Sequence, residues 1–237
     1  MPTAPGKWTT RIARATMVVA LLVLLAGPAT KFGLLPWQAG LGVFVVAALL
    51  AGIGGLISLG ALLRRRGGLV AVIAAIAGVA AFAVPMATVV AGRSVPPIND
   101  ITTDPANPPA FVAITAATRG ADAAPLGYDP AFAAQQTAAY PDVRPLMVES
   151  PPDEVFPRML AAAKAMDWAI VSTDQASGRI EATATVPWWG FKDDVVVVMS
   201  PHGDGTRVDV RSKSRVGKSD LGVNAARIQE YLGRIAG

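Results

Sequence analysis

The sequence contains no cysteine, only one histidine (His202) and, through residue 91, no aspartate or glutamate; Asp100 is the first acid. Without cysteine there is no disulfide, no thiolate metal ligand and no cysteine nucleophile. That absence agrees with an oxidising compartment without demanding one. A lone histidine excludes the clustered imidazoles of common zinc sites. No Gly-x-Ser-x-Gly elbow and no phosphate-binding loop occurs either. Charge is scarce at 16% of residues, and aromatics make up 6%, against 52% hydrophobic residues.

The charge is also divided. Lys7, Arg11, Arg14, Lys31, Arg64, Arg65 and Arg66 hold seven of the 21 cations, with no acid among them. The remainder carries 14 cations against 17 acids, a net −3, although the whole chain is +4. A nucleic-acid binder concentrates basic charge on its folded domain, so nucleic acid is set aside as a partner.

What is present in the first part is three apolar runs, Ile12–Thr30, Gln38–Leu63 and Gly67–Gly92. About 20 residues cross the hydrocarbon of a bilayer, and a backbone in lipid must satisfy its own hydrogen bonds. The runs therefore predict a three-helix membrane anchor over residues 1–92, with the lipid bilayer as partner. A cleaved signal peptide is the alternative for the first run, but Pro28 fits such a site badly and two further spans follow. Ala47, Ala51 and Gly55, like Ala74 and Gly78, recur at fours and allow close helix approach. A transport path would need polar groups within the spans, and away from their ends Thr16, Ser58 and Thr88 are all they offer.

Cations precede the first run and separate the second from the third, whereas only Lys31 lies in the other loop. The positive-inside rule then puts the N-terminus in the cytoplasm and residues 93–237 outside. In a bacterium this is an inner-membrane, multi-pass protein with a periplasmic domain.

Residues 93–143 read as a Pro/Ala-rich tether and extended entry segment, because recurrent prolines forbid long helices and central strands. From Arg144 onward the periodicity becomes regular. A short strand at 144–149 leads to a helix capped by Ser150, with Val155, Met159, Ala163 and Met166 as its apolar stripe. Strands are expected at 168–173, 179–186, 192–200 and 206–216. A final helix from Ser219 or Asp220 buries Leu221, Ala225, Ile228, Leu232 and Ile235. The fold class is thus a transmembrane helical anchor followed by an α+β domain at 144–237. That domain has an antiparallel sheet of about five strands with two helices on one face.

Two stretches carry the candidate site. In the strand at 206–216, alternation puts Arg207, Asp209, Arg211, Lys213 and Arg215 on one face, turned to water or a partner. Ser212 and Ser214 share the buried face with valines. Ser219, Asp220 and Asn224 follow at the start of the last helix. They read either as a structural corner or as a pocket for an anionic ligand. The second stretch, Pro187–Phe191, offers Trp188, Trp189 and Phe191 as interface residues, closing a core or lying at the membrane surface. No catalytic residue, metal ligand or cofactor is assigned. His202 reads as a solvated turn residue, and nothing in the sequence marks Lys213 or Lys218 as having the burial a Ser–Lys pair needs.

The run from Arg211 to Asn224 with Arg227-Ile228, and Phe191-Lys192-Asp193-Asp194-Val195 upstream, resembles the family called domain of unknown function 1499. The resemblance extends over roughly residues 96–235. It implies no activity, but it marks Arg211, Ser212, Ser214, Arg215, Ser219, Asp220, Asn224 and Asp194 as positions to test. Many shorter family members carry cysteines in the entry segment, where this chain has Asn99–Asp104. Three readings follow: a binding module for an anionic envelope molecule or protein partner, a membrane-anchored scaffold, and an envelope hydrolase.

Overall fold

A computed structural model describes residues 6–236. The chain forms two compact units. The first contains the residues through Ala91 together with Pro187–Gly190, and the second contains the rest.

The first unit is built on three helices, α1 (Lys7–Lys31), α2 (Trp37–Leu63) and α3 (Leu69–Gly92). All three are long and apolar enough to cross a membrane. The hydroxyls within their apolar runs are satisfied internally: Thr16, Thr30, Ser58 and Thr88 each donate to the carbonyl four residues earlier. This back-bonding removes the cost of placing a polar group in lipid. Small residues bring α2 and α3 together. A Cβ on Gly78 would lie 2.3 Å from the Ala51 carbonyl, so the two backbones touch where only glycine fits.

The second unit opens with β1 (Asp100–Thr102), α4 (Ala116–Arg119) and α5 (Phe132–Ala139). It continues through β2 (Leu146–Val148), α6 (Pro152–Ala165), β3 (Ala169–Asp174), β4 (Arg179–Thr185), β5 (Lys192–His202) and β6 (Gly205–Ser214), and ends in α7 (Val223–Ala236). The six-stranded antiparallel sheet runs β1-β6-β5-β4-β3, with β2 also paired to β6. β1 meets residues 211–213 and β2 meets 206–208, so two short strands share the outer edge of β6.

One sheet face carries the core. Ile180, Val195, Val197, Val208 and Val210 pack with Val155 and Met159 of α6 and with Ile228 and Ile235 of α7. Trp168 stacks on Tyr231 at 4.7 Å, and the Tyr231 hydroxyl donates to the Met159 carbonyl. Pro151, not Ser150, caps α6, since the two prolines preset an extended cap and a first helical residue needing no donor. Leu221 is exposed and takes φ +56° in the turn before α7 rather than joining the core.

The entry segment differs most from expectation. Ile98 and Ile101 are wholly buried in the core, and Asp100–Thr102 supplies a sixth strand. Prolines exclude long elements, but three residues between prolines suffice for an edge strand.

Candidate functional site

β5 and β6 carry polar clusters on both faces. On the helix-bearing face, Asn224 is fully buried, and each of its amide groups is used. Its Oδ1 accepts from Ser212 Oγ at 2.6 Å and from Arg227; its Nδ2 donates to Ser214 Oγ at 3.0 Å and to the Asn99 carbonyl at 3.2 Å. Arg227 also pairs with Asp193 at 2.6 Å. Asp220 Oδ2 accepts the Asn224 N–H and Oδ1 the Gly222 N–H, both at 2.8 Å, which caps the approach to α7. Burial raises the Asp220 pKa; the hydrogen bonds from Asn224 and Gly222 oppose that rise, and the Asp193 charge adds to it. Ser219 is peripheral, its Oγ accepting the Leu221 N–H at 3.3 Å.

The opposite face holds the charged stripe. Most of it is covered by the chain's own entry segment, which corrects the expectation that it faces water or a partner: Arg211 is 3% exposed and Lys213 5%. Arg211 makes a two-pronged bond to Asp100 at 2.8 Å on each arm and donates to the Pro109 and Leu126 carbonyls. Its guanidinium lies over the rings of Phe111 and Tyr128, 5.2 and 5.5 Å from their centroids. Lys213 shares Asp100 at 2.7 Å. Next along the sheet, Asp194 receives Arg119 at 2.6 Å, Arg215 at 2.8 Å and Thr183 Oγ1 at 2.9 Å. Glu181 accepts three successive backbone N–H groups, those of Val112, Ala113 and Ile114. Burial moves the Tyr128 hydroxyl up to about 12, with the Asp100 charge adding to the effect, and among the described residues that hydroxyl has no hydrogen-bond partner.

The physical reason for the cover is in the pairing. Residues 104–128 bring backbone carbonyls and N–H groups to the sheet, and the charged side chains bind them. Desolvation of each ion is offset by an opposite charge and by hydrogen bonds, the condition for burying ions at all.

The candidate residues therefore fall into two groups back to back. Ser212, Ser214 and Asn224 meet on the helix side, with Asp220 beside them; Arg211, Arg215 and Asp194 lie on the covered side. The partners that sequence reasoning missed are Asp100, Arg119 and Glu181; Arg227 stands in the family run but is not among its positions to test. Arg119 stands alone in an Ala/Gly-rich stretch with no spacing signal. Asp100 was visible only as the first acid of the chain.

Chemically the arrangement is one of saturation. Ser214 and Lys213 lie on opposite faces of β6, so no Ser–Lys pair forms between them, and Lys213 Nζ is committed to Asp100. Among the described residues no group of three His, Asp or Glu side chains is placed to hold a metal ion. His202 is exposed at the end of β5.

The aromatic candidates separate. Trp188 and Trp189 belong to the helical unit, where their rings meet Phe44 edge-on at 5.5 and 5.3 Å. Phe191 belongs to the α+β unit, and its carbonyl accepts the Val186 N–H at 2.7 Å.

Residues 100–235 match the model of a family described as "Protein of unknown function (DUF1499)". That is more than half of the chain, and the protein belongs to this family. No curated protein matches it. The chain is similar to the crystal structure of Ara h 8.0201, at 10% identity, covering 39% of this chain and 94% of that one. The TM-score is 0.22, too low to carry any argument.

Proposed function

We propose that this family member is a membrane-anchored structural module. Three helices hold it in the bilayer, and its α+β domain serves as an interaction scaffold on the extracytoplasmic side, the periplasm in a bacterium. In this reading the Arg–Ser–Asp–Asn run fastens the entry segment and α7 to the sheet and is not a receptor for an anion. The observation that carries it is the prior engagement of both candidate guanidiniums, Arg211 by Asp100 and Arg215 by Asp194. An anionic ligand would have to displace a buried carboxylate from each. The partner is then an envelope protein meeting surface outside the motif.

The placement rests on the acid-free, cation-flanked helices. Because the chain has no cysteine, a single Asp204→Cys provides a unique label in the β5–β6 turn. A membrane-impermeant maleimide should modify it in intact cells or spheroplasts. Labelling only after permeabilisation would put the domain in the cytoplasm and defeat the placement.

A further inference from the structure

The Pro187–Gly190 connection is grouped with the helices, and its contacts there are specific. Trp188 fills a notch at Gly27 of α1, where an added Cβ would come within 2.6 Å of the indole. Both indoles meet Phe44, seven residues into α2 and so about 10 Å along its axis from Trp37. Lys31 Nζ donates to the Pro187 carbonyl at 2.9 Å. Around this cluster the α1–α2 turn leaves Phe32 74% and Leu34 77% exposed, and Trp188 itself is 38% exposed.

We infer that Pro187–Gly190 is an interfacial anchor, immersed with the α1–α2 turn in the acyl–headgroup boundary of the bilayer. Tryptophan is favoured at that depth because an apolar ring and a polar N–H suit opposite sides of it. Lysine reaches from the same depth to the headgroups, and with no acid through residue 91 nothing in this segment repels their phosphates. The exposed apolar side chains continue the surface of helices already apolar enough to span. The lipid is therefore the occupant.

This inference rests on the spanning assignment of the helices, and the test separates the two. The full-length protein, reconstituted in phosphatidylcholine–phosphatidylglycerol vesicles, is nitroxide-labelled at Pro187→Cys, Leu50→Cys or Asp204→Cys. Pro187→Cys leaves both indoles in place. Collision with oxygen and with a nickel chelate then reports depth. Residue 50 should be oxygen-rich and residue 204 nickel-rich, with residue 187 several-fold richer in oxygen relative to nickel than residue 204.

A water-like value at 187 overturns the inference while leaving the spans intact. Shielding from both reagents also overturns it, because protein rather than lipid would then cover the loop. A water-like value at residue 50 removes the spanning assignment and the inference together. A second measurement covers a misfolded Pro187→Cys. Phospholipids brominated near the glycerol should quench wild-type tryptophan emission more than that of Trp188→Phe/Trp189→Phe. Equal quenching contradicts immersion.

Discussion

Arg119 Nε and Asp194 Oδ2 lie 2.6 Å apart, with 1% and 0% of their side chains exposed. One comes from a four-residue helix in the entry segment and the other from the longest strand, β5. Their pairing, with Arg215 on the same carboxylate, ties the covering segment to the sheet.

Asp194→Ala strands two buried guanidiniums. It should destabilise the domain by about 3–5 kcal/mol, the usual cost of breaking a buried pair from one side. Arg119→Met should cost less, because Arg215 still neutralises Asp194. Urea unfolding of the detergent-solubilised chain checks this; equal losses would mean that Arg215 does not share the carboxylate.

Asn224→Ala leaves Ser212, Ser214 and Arg227 without a shared partner. The expected loss is about 1–3 kcal/mol for unsatisfied buried groups. Ser219→Ala, at the rim of the same run, should change stability by less than about 0.5 kcal/mol. Thermal melts distinguish a fastening from a binding site, which would lose function in both variants without this gap in stability.

The sequence showed the faces of the sheet correctly but not their exposure. Period-two alternation placed Arg211, Lys213 and Arg215 together, and it put Ser212 and Ser214 with the valines. Alternation says nothing about what lies above a face, so a charged stripe reads as turned to water or a partner. The cover comes from residues 104–128, whose contribution is largely backbone carbonyls and N–H groups, and backbone groups leave no mark on composition. The spans were legible for the opposite reason. Length and the lack of charge determine them locally, and each helix satisfies its own hydrogen bonds.

Asp220 should make stability depend on pH in an unusual direction. Burial raises its folded pKa above the unfolded carboxylate value, about 3.9. Its contribution is therefore fully present below that value and is lost as pH rises through the folded one. The melting temperature of the wild type, relative to Asp220→Asn, should fall as pH is raised across this window. A flat or rising difference would contradict the assignment.

Tyr128→Phe should leave stability unchanged or raise it by up to about 1 kcal/mol. It removes a buried hydroxyl without a partner and keeps the ring over Arg211. The phenol titration near 12 should vanish with it, followed by absorbance. Marked destabilisation would show that the hydroxyl has a partner.

The pairing of Asp100 with Lys213 has a temporal consequence. A ribosome delivers β1 long before β6, so the first strand must wait, unpaired, until almost the entire polypeptide has been made. Such distant pairing slows collapse and leaves a bare ribbon at risk of wrong associations during synthesis. A chain truncated before residue 205 would thus retain α1, α2 and α3 while lacking α7 and never completing the sheet.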